Sequence, residues 1–335
     1  MRRLLDRFFI EGFHGMAYGI FSTLIIGTIL QQIGGLFSGS LSNTLIHLGS
    51  LAVSFTGAGI GIGIACQLQE NPLIALCAGI AGMAGGASGP GQFLGAFLAA
   101  FAAIESSRLI SGRTSFDLLL SPLTGILCGG FVGLWISTPL NQLMEKVGSW
   151  ISWGTQQEPF LMGIIVSVFM GIAIILPINT VALGAMLNLS GLAAGAATIG
   201  CCCSMIGLAA ASYKENGFSG FLTIGAGTPI LLLPKILRNP FILLPPLISG
   251  AVLGPVSVLI GKMQNTAAGS GLGTMGLSGQ ITTWEVMISG ETPEMVFIKI
   301  LLLHFLLPAI LTLFIANGMR KLNLIKPQDM NLNIV

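Results

Sequence analysis

The fold class follows from residues 12–69, GFHGMAYGIFSTLIIGTILQQIGGLFSGSLSNTLIHLGSLAVSFTGAGIGIGIACQLQ, a stretch without any Asp, Glu, Lys or Arg. A helix that spans a membrane needs about 20 apolar residues. A charge inside such a helix costs about 2.5–3.5 kcal/mol on membrane-insertion scales. Three more charge-free stretches follow, at 71–104, 118–144 and 159–213. The pattern predicts an all-α protein that crosses a membrane many times.

The composition of the chain points the same way. Charged residues make up 8% of the 335 positions, against about 25% in soluble domains. A surface so poor in charge has to face lipid rather than water. The formal net charge of +2 indicates no acidic partner and no nucleic acid. The six cysteines lie in apolar stretches, so we expect small buried residues rather than disulfides.

About ten segments are candidate spans, with eight as the alternative. They are 14–34, 44–68, 73–87, 93–106, 116–139, 160–177, 179–212, 219–234, 240–261 and 296–318. Short apolar segments interrupted by Gly or Pro are typical of re-entrant hairpins in transporters, and 73–95, 219–234 and 266–284 have this character. Basic residues precede the first span and follow the last, which predicts that both termini are cytoplasmic.

The chain is predicted to consist of two membrane halves. The N-terminal half, 1–139, begins with an interfacial helix over 1–12, in which Arg3 and Arg7 lie opposite an apolar face. Residues 140–153, LNQLMEKVGSWISW, carry an apolar stripe at helical spacing and are interpreted as a linker lying along the membrane. The C-terminal half, 154–320, is expected to hold the substrate site, and 321–335 to be a cytoplasmic tail.

A glycine-rich run, NTAAGSGLGTMGLSGQI at 265–281, contains a G-x-G-x-x-G string that begins at Gly271. A dinucleotide site would need that string between a strand and a helix of a βαβ unit, and the sequence has no such pattern. The run carries neutral polar side chains and no charge, which suits non-helical backbone lining a polar cavity. We therefore expect a neutral, hydroxyl-rich ligand here rather than an ion.

Several other motifs leave alternatives open. GAGIGIG at 57–63 fits either close helix packing or a channel lined by bare backbone. ASYKENGFSGF at 211–221 is either a solvated loop or a hairpin tip in which Glu215 and Asn216 bind hydroxyls or a cation. Lys235 and Arg238, three residues apart among five prolines, mark either a cytoplasmic loop or cations near an anionic substrate. A histidine within a span, such as His304, is a functional candidate without a partner in the nearby sequence.

Three stretches resemble one family. PINTVALGAMLNLSGLAAGAATIGCCCSMIG at 177–207, GTPILLLPKILRNPFILLPPLISGAVLGP at 227–255 and the glycine-rich run look like the type-2 phosphotransferase-system EIIC membrane proteins, the group that includes the perfringolysin-O-regulator-like proteins. The resemblance implies a multi-pass permease of the bacterial inner membrane, a homodimer, with re-entrant hairpins around a sugar site. The G-I-T-E-like motif of the sugar EIICs is missing from the sequence. Because no fused IIB domain with a phospho-cysteine is present either, any phosphoryl transfer is expected to need separate IIA and IIB proteins.

The sequence therefore predicts a permease that moves a sugar or similar small polar solute by alternating access. Neither catalytic residues, metal ligands nor a cofactor are expected. The alternatives are a membrane-embedded sensor or regulator without net transport, and a membrane enzyme, for which no nucleophile–base pair is visible. The predicted substrate-binding residues are polar side chains of the second half. They are Asn179, Asn188, Glu215, Asn216, Asn265, Thr274, Ser278 and Gln280.

Overall fold

Helices and turns make up the chain in the computed structural model, which describes residues 7–86, 89–113 and 116–332. Contacts between Cα atoms divide it into two compact units, unit 1 (Met1–Glu145) and unit 2 (Lys146–Val335). The boundary falls inside one long helix, so the predicted linker 140–153 is the C-terminal part of that helix. Half of the predicted interfacial helix, residues 1–6, lies outside the described residues.

Unit 1 consists of helices connected by short turns. They are α1 (Arg7–Gly35), α2 (Ser40–Ser54), α3 (Thr56–Gln67), α4 (Pro72–Gly85), α5 (Gln92–Ile110) and the first part of α6 (Asp117–Thr155). Unit 2 contains the end of α6 and eight further helices. They are α7 (Pro159–Ala173), α8 (Thr180–Met186), α9 (Gly191–Ala211), α10 (Tyr213–Gly227), α11 (Pro229–Arg238), α12 (Pro240–Gly261), α13 (Ser278–Met287) and α14 (Pro293–Lys321).

The glycines of GAGIGIG bring three helices of unit 1 into backbone contact. A Cβ atom added to Gly63 would meet the carbonyl of Gly15 in α1. One added to Gly61, on another face of α3, would meet the carbonyl of Ala78 in α4. Small residues one turn apart permit this close approach between helices in lipid. Of the two alternatives for this motif, the described structure therefore shows helix packing.

Arg7 joins three helices of unit 1 through its guanidinium group. Its Nη2 lies 3.0 Å from Glu70 Oε1, just after α3, and 3.1 Å from Glu105 Oε1 in α5. The glutamate side chains are 12% and 28% exposed, so water screens these ion pairs only in part. A charge that is largely withdrawn from water is stable only when paired, and here one arginine serves two carboxylates.

A re-entrant hairpin in unit 2 is formed by α10 and α11, which meet at a bend of 120° around Thr228. Its two ends bond to the same C-terminal segment. Asn216 in α10 donates from Nδ2 to Met330 O (2.8 Å), and Asn239, just after α11, donates from Nδ2 to Leu324 O (3.0 Å). The hairpin therefore enters unit 2 from the tail-bearing end and returns to it.

A second re-entrant element, residues 263–287, enters from the opposite end. It follows α12, a helix of 22 residues that begins beside the tail at Pro240 and ends at Gly261. The chain then runs inward as irregular backbone and returns as α13. Met263 and Met287 meet in one hydrophobic cluster, so the element begins and ends at the same level. The re-entrant hairpins predicted at 219–234 and 266–284 are thus present in the fold.

The described helices confirm an all-α membrane protein with many crossings. Six of them are long and apolar enough to span a membrane, and the bent pair α2 with α3 is a seventh span if it counts as one. The other bent pair, α10 with α11, is the re-entrant hairpin described above, although the count of about ten from the sequence includes it as a span. The count of about ten from the sequence also includes α4 and α7. These apolar helices have 14 and 15 residues, or about 21 and 23 Å, which is short of the roughly 30 Å hydrocarbon layer.

Candidate functional site

The inward run 263–277 is irregular because its backbone takes conformations that a helix excludes. Lys262 ends α12 in the left-handed region (φ 45°), and Gly273, Gly276 and Leu277 also have positive φ. Two short 3₁₀ turns, Gly269–Gly271 and Met275–Leu277, are its only helical parts. Glycine adopts positive φ without steric cost, which explains the glycine content of the run.

The run descends along one side of α9. Asn265 pairs with Gly191 through two backbone hydrogen bonds of 3.2 and 3.3 Å, and Gly273 packs against Cys201. Thr274 donates its backbone N–H to Met205 Sδ at 3.3 Å. Fourteen residues of α9 separate Gly191 from Met205, so the run extends about 21 Å along that helix. It carries polar side chains deep into an apolar bundle.

Asn265 joins this run to two helices. Its Nδ2 donates to Thr198 Oγ1 in α9 (2.9 Å) and to the carbonyl of Gly279 in α13 (3.2 Å). Its Oδ1 accepts the N–H of Thr266 at 2.8 Å. The side chain is buried and each of its polar atoms is bonded within the protein, so Asn265 holds the frame of the site.

Thr274 lies where the two re-entrant elements meet. Its hydroxyl donates to the carbonyl of Gly225, near the tip of the α10–α11 hairpin. The tip at Thr228 is itself buried. Two elements that enter unit 2 from opposite ends therefore touch inside it, and a single hydroxyl forms the bond between them.

Gln280 and His304 form a buried polar pair within the site. Gln280 Nε2 lies 3.1 Å from His304 Nδ1 and also donates to Cys202 Sγ at 3.6 Å. An amide nitrogen only donates, so Nδ1 of His304 is the acceptor and the ring proton resides on Nε2. His304 is the twelfth of the 29 residues of α14, about 4.5 Å from the middle of that helix.

Four buried polar atoms in this region have no hydrogen-bond partner among the described residues. They are Ser278 Oγ, Gln280 Oε1, Thr283 Oγ1 and His304 Nε2. A buried polar atom without a partner costs about 1–3 kcal/mol, and native proteins keep few of them. Gln280 and Thr283 are three residues apart and share a face of α13. The group thus offers donors and acceptors, without any formal charge, to a bound molecule.

The other predicted site residues have different positions. Asn179 caps α8, where its Oδ1 accepts the N–H of Ala182 at 3.1 Å. The next residue, Thr180, donates to the carbonyl of Gly271 at 2.6 Å and so connects α8 to the glycine-rich run. Asn188 is exposed and has φ of 48° in the turn between α8 and α9. Neither asparagine is among the residues with an unpartnered buried atom.

Glu215 and Asn216 hold the C-terminal tail. Glu215 accepts from Arg320 Nη2 (3.1 Å) and from the N–H of Met330 (2.9 Å). Asn216 accepts the N–H of Leu332 at 2.8 Å. Met330 and Leu332 are buried, so the tail is packed onto unit 2 as far as the structure describes it. Neither side chain bonds to the group around Gln280.

Sequence reasoning missed Thr283 and the pairing of His304. The sequence marks His304 as an intramembrane histidine, but its partner lies 24 positions away on another helix. Thr283 looks like any polar residue near the end of a glycine-rich run. No cluster of three or more His, Cys, Asp or Glu suited to a metal ion occurs within the described ranges.

The chain was compared with known protein families and with curated proteins. The family model described as "Phosphotransferase system, EIIC" matches residues 10–332, nearly the whole chain. No curated protein matches it.

Proposed function

The chain belongs to the phosphotransferase system EIIC family, and from that premise we propose that it moves a sugar or similar small polar solute across the membrane by alternating access. The site would be the buried polar group of unit 2. Asn265 and Thr274 frame it, and Ser278, Gln280, Thr283 and His304 contact the solute. Asn179, Asn188, Glu215 and Asn216 support it from outside this group.

The observation that carries the proposal is the unpartnered pair Gln280 Oε1 and His304 Nε2. One atom accepts a hydrogen bond and the other donates one. A solute hydroxyl can do either, so the hydroxyl groups of a solute would satisfy both atoms. Because neither side chain is a formal anion or cation in this arrangement, a neutral solute is favoured over an ion.

The meeting of the two re-entrant elements supports alternating access. They reach the site from opposite ends, as helices that end within the membrane do in transporters with a central site. The hydroxyl of Thr274 bonds to Gly225 between them. Movement of the α10–α11 tip away from Thr274 would open a path toward the tail-bearing end, and movement of the 263–277 run would open one toward the other end.

The basic residues support a cytoplasmic tail. Six of them lie at the tail-bearing end of unit 2, on or next to elements that bond to the tail. They are Lys214, Lys235, Arg238, Arg320, Lys321 and Lys326. The positive-inside rule assigns such an end to the cytoplasm. The proposal also includes a bacterial inner membrane as the location and a homodimer as the active form. Any phosphoryl transfer would use separate IIA and IIB proteins.

Uptake into liposomes tests the proposal with a panel of radiolabelled pentoses, hexoses and disaccharides. The double variant Gln280→Leu/His304→Phe removes the polar pair and keeps side chains of similar size. We expect solute affinity to fall about tenfold or more, because hydrogen bonds in a buried site are lost. Stability should hardly change, since the buried polar atoms without partners are removed as well.

Gln264→Leu is the matched control, because Gln264 is an exposed residue of the inward run 263–277. It should transport as the unaltered protein does. Unchanged uptake and affinity in both Gln280→Ala and Asn265→Ala would contradict the proposed site. If no sugar of the panel is bound or moved by the unaltered protein, the sugar assignment is wrong.

One observation favours the second candidate, a membrane sensor or regulator without net transport. The α10–α11 hairpin touches the candidate site through Gly225 and the tail through Asn216. A solute that displaces the hairpin would therefore also shift the tail, where a cytoplasmic protein has access. Saturable binding in the reconstituted protein without any flux would select this candidate.

A further inference from the structure

The tail-bearing end of unit 2 contains a cavity of about 480 Å³ between the end of α11 and the C-terminal segment. We call it the tail cavity. Its charged lining consists of Lys235, Arg238, Lys326 and Asp329, and Asn239 and Gln328 add amide groups. The volume lies within the range of about 300–1,000 Å³ that is common for small-molecule sites. It is separate from the polar group around Gln280.

The three cations of the tail cavity are unpaired within the described parts of the chain. Neither Lys235, Arg238 nor Lys326 makes a side-chain hydrogen bond or ion pair there. Two other basic side chains of unit 2 do have carboxylate partners: Arg320 pairs with Glu215 at 3.1 Å and Lys299 with Glu291 at 2.6 Å. Three like charges around one cavity repel one another, and an anion between them relieves that repulsion.

Asp329 forms no ion pair with these cations among the described residues, and its carboxylate offsets only one of their three charges. Its Oδ2 already accepts from Asn239 Nδ2 at 2.7 Å and from the backbone N–H of Lys326 at 2.8 Å. These bonds fix the loop that carries Lys326. Even with the carboxylate counted, the lining carries a formal surplus of two positive charges. The surplus matches the charge of about −1.5 to −2 that a phosphate monoester carries near neutral pH.

We propose that the tail cavity binds a phosphate group, either of a soluble phosphate compound or of a phospholipid headgroup. The Arg238 guanidinium can contact two phosphate oxygens at once, and the two ammonium groups act as point charges beside it. The ligand would lie between α11 and the tail and hold them together. This inference does not depend on which solute is transported, because none of the proposed solute contacts lines the cavity.

Thermal unfolding of the purified full-length chain in detergent tests the proposal, with inorganic phosphate titrated against chloride at equal ionic strength. Phosphate should raise the melting temperature in a saturable way. In Lys235→Gln/Arg238→Gln the apparent affinity should be about tenfold or more weaker, because charge-assisted bonds are lost. Lys326→Gln, on the other wall of the cavity, should weaken binding as well. The control Lys214→Gln removes an exposed lysine of the same end of unit 2 and should bind phosphate normally.

A second arm identifies the source of the phosphate group. The same variants are placed in nanodiscs of phosphatidylcholine with or without phosphatidic acid. Stabilisation by free phosphate that the double variant loses assigns a soluble phosphate compound. Stabilisation by phosphatidic acid alone, again lost in the double variant, assigns a lipid headgroup. The proposal is overturned if neither probe stabilises the unaltered protein, or if both cavity variants respond as Lys214→Gln does.

Discussion

The two units contain the same kinds of residues and use them differently. In unit 1 the buried hydroxyls of Thr56, Ser107 and Ser121 all donate to backbone carbonyls. In unit 2 the buried hydroxyls of Ser278 and Thr283 have no partner among the described residues. Glycine allows helices to touch in both units, as Gly61 does against Ala78 and Gly254 against Gly163, and in unit 2 it also allows irregular backbone to enter the bundle. Buried polar groups that are hydrogen-bonded within the protein stabilise its fold, and those without a partner are available to a ligand.

The largest effect is expected from Gly61→Leu, which disrupts the packing between α3 and α4 in unit 1. Any side chain at Gly61 runs into the backbone of α4 at Ala78. Overpacking of this kind costs about 3 kcal/mol where the neighbour cannot move, so thermal unfolding in detergent should shift strongly downward. Gly130→Leu is the control, because a Cβ there meets no atom within 4 Å. Equal melting temperatures for the two variants would contradict the packing role of GAGIGIG.

Asn265→Ala should have an intermediate effect, in the frame of unit 2. The change removes the two buried bonds to Thr198 Oγ1 and to the carbonyl of Gly279, and the N–H of Thr266 loses its acceptor. Two lost buried bonds cost about 2 kcal/mol in the free energy of unfolding. Thermal unfolding measures this, and solute affinity should fall with it. Gln264→Ala should alter neither, and an unaffected Asn265→Ala would mean that this frame is not required.

The smallest effect is expected from Glu215→Gln. This variant tests whether the contacts of the C-terminal tail in unit 2 are independent of the solute site. The variant loses the ion pair with Arg320, a partly exposed contact whose removal costs about 1 kcal/mol. Hydrogen–deuterium exchange should quicken in residues 323–332 while solute affinity stays the same. Glu145→Gln, at an exposed position, is the control. A loss of solute affinity in Glu215→Gln would instead favour a direct contact between Glu215 and the solute.

Local sequence was sufficient for part of the site. The neutral polar side chains within a charge-free glycine-rich run predicted a membrane-embedded polar region, and Ser278 and Gln280 supply two of its unpartnered atoms. The pairing of Gln280 with His304 and Cys202 was not predictable, because these residues lie on three helices. Asn216 shows the converse. As a polar residue beside a turn it resembles a ligand contact, and in the structure it bonds to the tail.

The sequence by itself determined the membrane character, the all-α class and the re-entrant segments 219–234 and 266–284. Lipid disfavours every charge and every unpaired backbone group, so a membrane protein has few charges and its non-helical segments are rich in Gly and Pro. Contacts between distant segments were decided by the tertiary structure. The junction of Thr274 with Gly225 and the cations around the tail cavity depend on which elements become neighbours. That choice follows from packing summed over whole helices, which no local pattern of residues records.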